Sequence, residues 1–522
     1  MRHMLRAAAL LLIALTGRAA QAEVTRLEIA DRQAYGSFRA GAYVRLEGRV
    51  TGRLAPDEPG IPDLARAVRD AQGKVTYSAR VILFIPADPT AGNGALLVDV
   101  PNRGNAYANA LYNSPRSLPM ASGNTEPGTG FLEDRGYAVA EVYWELGRGA
   151  DLPSFTDADG RQRFVEGVGF AIVRDTADFL AHAAADAGGT PNPLAGTISR
   201  TIATGKSQDG RFLKTFLLQG FNVAQGRRVF DGMHVFVSGA GLLPILQSGT
   251  GPHSSGDKTP NFADPDFPGV NDGPLTIGEI VARVEARGEV PPKMMLLNAT
   301  VDYASLRASL GRTGAHGTID LPLPSTVRMY DVAGASHVTV IKAPACQSAP
   351  GRLDWAPVAR ATLQRLDGWV VRNAAPPATR LMPLQPAPDD PTVLQAPKAL
   401  PEAIVQVPQR DADGNPIGGV RLPDIAVPLG VHGGQNAPLT TFTCSLVGTY
   451  RPFPRTPDEA KGGRPSLAER YKDQQDYVNR VGIAARTLEA DGFLLPEDVA
   501  VILNAAAENR IFASHTEAGP PR

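Results

Sequence analysis

In a chain of 522 residues, 52 basic and 53 acidic side chains nearly cancel. No net field then draws it to nucleic acid or to an anionic membrane, and a small or neutral partner fits better. The 54 glycines and 45 prolines point to a loop-rich scaffold with long functional connections.

Residues 1–22 read as a secretory signal: Arg2, His3 and Arg6 lead a short apolar run that ends in Ala20-Gln21-Ala22. Cleavage after Ala22 leaves 522 − 22 = 500 residues, enough for one large core with additions. No later stretch approaches the roughly 20 apolar residues that a membrane span needs. The mature protein is therefore expected to be periplasmic or secreted, with no membrane span.

Residues 23–90 carry short alternating runs and predict an N-terminal β-rich region whose last run, VILFIP, is positioned to join a main sheet. From residue 91 to 375 strands alternate with helices. ALLVDVP (95–101) is a strand, followed by a helical stretch near 106–112; YAVAEVYWEL (137–146) is the next strand, with a long helix over 164–187. A strand over 197–205 runs into a helix over 211–218, and a strand over 232–241 into a loop-rich insertion, 242–274. A helix over 276–287, a strand ending at 302, a short helix at 305–310, a strand ending at 337 and a helix over 356–372 complete the series. This rhythm predicts an α/β fold, a mostly parallel sheet flanked by helices. Residues 376–522 read as a Pro-rich extended segment to about residue 457, a strap lying over the core or else a linker, then two amphipathic helices over 467–491 and 496–509.

The stretch TIATGKSQDGRFLKTF (201–216) has the grammar of a nucleophile elbow, a strand that turns sharply into a helix with Ser207 at the apex. Asp209 stands where the usual spelling has its second glycine, and Gly210 follows one place later. The chain order supports the assignment. Ser207 ends the third strand of the series, Asp302 follows a later strand and His337 the last, the order nucleophile, acid, histidine of the α/β-hydrolase fold. All three lie at carboxyl ends of strands, on one sheet edge. A serine hydroxyl needs a neutral imidazole to take its proton, and a carboxylate behind the ring to fix its tautomer. The oxyanion donors are expected in the N–H of Gln208 and in the loop Asn102, Arg103 and Gly104 after the first strand of the series.

Other readings stand beside these. Asp302 suits the N-cap of a short helix. His234, within a strand, is a packed residue or touches substrate, and Arg103 holds its loop or meets a substrate carboxylate. Lys206, Asp209 and Arg211 predict a local ion-pair arrangement bracing the elbow. Cys346 and Cys444 are expected to pair in an oxidising compartment, two buried free thiols being the alternative. Asp157–Gly160 and Asp411–Gly414 match part of a calcium loop but lack the downstream glutamate, so both read as turns. No His/Cys cluster suggests a metal, and no glycine fingerprint a nucleotide, so no cofactor is expected.

The combination of Asn-Arg-Gly after a strand, G-x-S-Q-x-G-R-F around Ser207, G-F-N at 220–222, V-F-D-G at 229–232, V-A-G-x-S-H ending at His337, Y-V-x-R-V at 477–481 and G-F-L-L-P-E-D at 492–498 resembles the secreted, mostly bacterial alpha/beta hydrolase domain-containing proteins. The resemblance covers nearly the whole mature chain. It implies a serine hydrolase with Ser207 as nucleophile, His337 as base and the acid at or beside Thr300-Val301-Asp302. The elbow is also similar to those of tannases and of feruloyl and glucuronoyl esterases, which points to carboxylic esters of plant or aromatic origin. The expected function is cleavage of a small or oligomeric ester through an acyl-enzyme. Acyl transfer on the same residues and a non-catalytic binding protein on a hydrolase scaffold are the alternatives.

Overall fold

Ala95–Asp99 (β4) and Ala138–Val142 (β5) are buried at every residue, whereas in Gly41–Leu54 (β2) buried and exposed positions largely alternate. The first pattern belongs to strands covered on both faces, the second to strands with one wet face. In the computed structural model, which describes residues 23–115, 126–243, 245, 275–397, 400–461 and 463–512, both kinds share one sheet. The expected leader lies outside the described residues, as does the insertion apart from residues 242, 243 and 245.

The other strands of this sheet are Glu23–Phe38 (β1), Val75–Pro86 (β3), Ala150–Asp151 (β6), Arg200–Lys206 (β7), Gly232–Phe236 (β8), Lys293–Ala299 (β9) and Val327–Val332 (β10). Their order is β1-β2-β3-β5-β4-β7-β8-β9-β10, with β6 paired to β3. Pairings from β1 through β3 to β5 are antiparallel, and those from β5 across to β10 are parallel. The N-terminal strands therefore continue the main sheet. The far half of β3 is apolar on both sides and pairs with β5, leaving β1 as the charged outer edge.

Helices Val168–His182 (α2), Gln208–Leu218 (α3) and Ile277–Ala286 (α4) cover one face, where Phe170, Phe212, Phe216 and Phe221 pack together. The other face is covered by Ala108–Tyr112 (α1), Ala356–Arg372 (α6) and the C-terminal helices Gln474–Ala490 (α8) and Pro496–Glu508 (α9). The helix expected over 467–491 is broken because Asp473 caps α8, its side chain accepting from the Asp476 N–H. The strand expected over 137–146 stops at Val142, where Trp144 turns to donate its indole N–H to the Pro101 carbonyl (3.1 Å). The short helix after β9 begins earlier than expected, at Thr300–Ser305 (α5), and so contains Asp302.

The 376–457 region lies across the core as a strap. Met382, Val420, Leu422 and Ile425 are buried in it, and the helix Phe442–Val447 (α7) sits near its end. A disulfide joins Cys346 to Cys444, with Cα atoms 5.3 Å apart and 98 residues of separation. Asp157 and Asp411 each accept backbone N–H groups two and four residues on, so both calcium-like segments are turns.

A cross-link closing a loop of this length restricts the unfolded chain enough to contribute about 4–5 kcal/mol. The Cys346→Ser/Cys444→Ser protein should therefore unfold at clearly lower denaturant than the oxidised wild type. A midpoint change worth less than about 1 kcal/mol would contradict this account.

Candidate active site

Ser207 adopts φ 61°, ψ −112°, a conformation that costs an L residue free energy and is held only by its surroundings. Its N–H donates to the Phe236 carbonyl (2.9 Å), extending the β7–β8 pairing by one residue before the chain turns into α3. A Cβ on Gly205 would lie 2.7 Å from the Asp209 carbonyl oxygen, and one on Gly210 would lie 2.8 Å from Ser238 Cβ. Both glycines are therefore required by close approach. The displaced Gly210 serves the packing of α3 against the end of β8.

His337 follows β10 and is held from three directions. Its N–H donates to the Leu446 carbonyl of α7 (3.0 Å), while the Ser336 hydroxyl donates to Val447 O (2.7 Å) and Trp355 Nε1 to Ser336 O (3.2 Å). The Thr300 hydroxyl accepts the Gly334 N–H (2.7 Å), joining the turn after β9 to the loop after β10. His337 Nδ1 meets Asp302 Oδ1 at 2.7 Å, and both residues are buried. The other carboxylate oxygen of Asp302 accepts the Ala299 N–H (2.7 Å), so this residue orients an imidazole and caps its own helix at once. Burial lowers the His337 pKa below the ordinary histidine range, with Asp302 acting in the opposite sense.

Among the described residues no hydrogen bond joins the Ser207 hydroxyl to the ring. β7, β8, β9 and β10 are successive parallel neighbours, so the elbow and the turns carrying Asp302 and His337 all follow carboxyl ends on the same edge of the sheet.

The loop after β4 lies against the elbow, at the point where the strand order reverses. Asn102 Nδ2 donates to the Lys206 carbonyl (2.9 Å), and the backbones of Asn102 and Asn105 bond reciprocally. Arg103, at φ 49°, donates to Asn102 Oδ1 (3.0 Å), and Gly104 is at φ 77°. Gln208 opens α3, so its N–H has no intrahelical acceptor. Its side-chain amide donates to Glu145 Oε1 (3.2 Å), fixing the first turn of the helix. Asp99 Oδ2 accepts the N–H groups of Tyr107 and Ala108, both at 2.6 Å, which pins the far end of the loop.

One expectation is corrected, and one pair of alternatives is resolved. The ion-pair arrangement around the elbow does not form between Lys206 and Asp209. Strand alternation directs Lys206 to the face of Tyr107, whereas Asp209 lies in α3 behind Gly205. Neither carboxyl oxygen of Asp209 has a hydrogen-bond partner among the described residues, and burial raises its pKa well above the carboxylate range. His234 is a core residue. It is fully buried in β8, its Nδ1 at 2.8 Å from the Tyr112 hydroxyl and its Nε2 at 3.1 Å from that of Thr362. Burial pushes it down to about 3, so it is neutral and structural. Among the described residues no group of three His, Cys, Asp or Glu is placed to hold a metal ion, and no helix is long and apolar enough to cross a membrane.

The profile of the alpha/beta hydrolase domain matches residues 49–504. The chain belongs to the alpha/beta hydrolase family. It is similar to a glucuronoyl esterase from Solibacter usitatus at 15% identity, covering 59% of this chain and 80% of that one, with a TM-score of 0.29. It is also similar to a carbohydrate esterase family 15 glucuronoyl esterase from Caldicellulosiruptor kristjansonii (11%, 66% and 80%, TM-score 0.31), and to a rice cell wall degrading esterase from Xanthomonas oryzae (14%, 41% and 49%, TM-score 0.22). No curated protein matches the chain.

Within this alpha/beta hydrolase, sequence reasoning passed over Asp99, Glu145, Trp144 and the position of Lys206. Their signal was a charged or indole side chain inside an otherwise apolar strand run. Gly205→Ala should destabilise the protein by about 1–3 kcal/mol, because the clashing atoms are backbone and cannot swing aside. Denaturant unfolding of that variant at an unchanged midpoint would contradict the close packing of the elbow.

Proposed function

We propose that this protein is an exported serine hydrolase that cleaves carboxylic esters through an acyl-enzyme, with Ser207, His337 and Asp302 as its triad. The observation that carries this reading is the buried 2.7 Å contact between His337 and Asp302, set beside a serine in a strained strand-to-helix turn. With the Nδ1 proton donated to Asp302, Nε2 is the free base. It takes the Ser207 proton as the hydroxyl oxygen attacks the ester carbonyl, then returns it to the leaving alcohol. The negative charge developing on the carbonyl oxygen falls to the Gln208 N–H and the Asn102–Gly104 loop. Water, activated by the same imidazole, releases the acid and restores Ser207. The disulfide suits an oxidising compartment and supports export.

A fluorophosphonate probe should label the purified protein at Ser207. Ser207→Ala should abolish labelling and lower ester turnover by at least about 10³-fold; labelling that persists in this variant refutes the nucleophile. Asp302→Asn should lower kcat on the order of 10⁴-fold while the fold survives, because the ring loses the partner that sets its tautomer.

The active base is the neutral imidazole, and burial favours that form. The ratio kcat/KM should therefore rise with pH through an inflection below the ordinary histidine value of about 6.5 and be flat above it. An inflection at or above about 7 would count against His337 as the base.

A further inference from the structure

Two lysines are buried around the elbow, and they differ in one respect. Lys214 on α3 donates its ammonium to the Gly239 carbonyl (2.9 Å). Lys206, directly before Ser207 and only 2% exposed, has no hydrogen-bond partner for its Nζ among the described residues. Its ammonium lies 4.7 Å from the centre of the Tyr107 ring, which offers attraction but no acceptor. Neither Asp302 nor Asp209 supplies it with an acceptor. Asp302 is taken up by His337 and the Ala299 N–H, and Asp209 lies on the opposite face of the strand.

A buried cation without an acceptor is costly, and unpaired lysines are rarely kept in a core. Burial brings this one down to about 8, with the Asp302 charge resisting the shift. Lys206 is the last residue of β7, and its carbonyl accepts from Asn102 Nδ2 of the loop after β4, which sets it at the carboxyl edge of the sheet beside Ser207.

We propose that Lys206 is a specificity-determining residue that binds a carboxylate carried by the ester substrate, next to the bond cleaved at Ser207. The inference rests on the esterase reading and narrows it to acidic esters. A free carboxylate on the acyl or the alcohol part would supply the acceptor that the protein does not, and a neutral ester would leave the ammonium unpaired. The Tyr107 ring backs the ammonium without competing for its protons.

The test compares two matched pairs of esters: para-nitrophenyl hydrogen adipate against its methyl ester, and para-carboxyphenyl butyrate against its methyl ester. The wild type should prefer the charged member of at least one pair in kcat/KM, and the pair that responds assigns the carboxylate to the acyl or the alcohol side. The preference ratio should fall about tenfold or more in Lys206→Met and be partly restored in Lys206→Arg, in keeping with the loss of a charge-assisted hydrogen bond. Binding of monomethyl adipate to Ser207→Ala, measured by calorimetry, should weaken on adding Lys206→Met. This readout needs no turnover.

Equal rates on charged and neutral esters, or a ratio that Lys206→Met leaves unmoved, overturn the proposal. So does a variant in which only the pH inflection of kcat/KM shifts, since that would make Lys206 an electrostatic neighbour of His337 and nothing more. A wild type that neither takes the fluorophosphonate label at Ser207 nor cleaves any of the four esters, yet binds monomethyl adipate through Lys206, refutes the esterase reading and keeps the anion site. Absence of both turnover and binding refutes the two together.

Discussion

Exclusion of water from the contact between His337 and Asp302 is the constraint on which the rest of the structure depends. In bulk solvent such a pair would exchange its hydrogen bond for water at little cost. Buried, the same contact fixes one orientation of the ring, because the alternatives leave a carboxylate unsatisfied. The geometry is then set by backbone. Asp302 is held by the start of its own helix, and His337 by carbonyls of α7. The Thr300 hydroxyl locks the two turns together. Asp302 and Thr300 follow β9 and His337 follows β10, and the parallel sheet brings those two ends to one edge.

Much of this was legible from residue order. The alternation of apolar strands and helices specified the parallel sheet, and the succession Ser207, Asp302, His337 at strand ends pointed to one sheet edge. Gly205 and Gly210 were readable because a strained turn leaves no room for a Cβ. Other features were hidden because they depend on contacts between distant segments. Residues 137–146 look uniformly strand-like, and only the Pro101 carbonyl explains why Trp144 leaves the sheet. The charges around Ser207 suggested an ion pair because sequence spacing is silent about which side of a strand a lysine occupies once the chain turns. His234 drew notice by its closeness to the site, and its two hydroxyl partners come from α1 and α6.

Acidic residues within or just after the apolar strands repeat one theme. Asp99, Glu141 and Glu145 are all buried near the carboxyl edge of the sheet. Burial raises Asp99 to about 6 and Glu141 to about 8, each in the direction expected when desolvation outweighs hydrogen bonding. Asp99 is used for the N–H groups at the start of α1, and Glu145 for the side chain of Gln208. A carboxyl group serves here as a compact acceptor for loop backbone and amide groups. The loop after β4 and the elbow are thereby braced from beneath by these side chains.

The strap also gives the molecule a temporal order. The Ser336 hydroxyl and its acceptor at Val447 are separated by 111 positions in the chain, and the disulfide spans a similar interval. A nascent polypeptide can complete the β7 turn and lay down β9 and β10 while the carbonyls that seat the histidine have yet to be synthesised. The imidazole is thus brought into register only when the carboxyl-terminal quarter arrives, and a product terminated before that quarter would lack the carbonyls that seat its histidine.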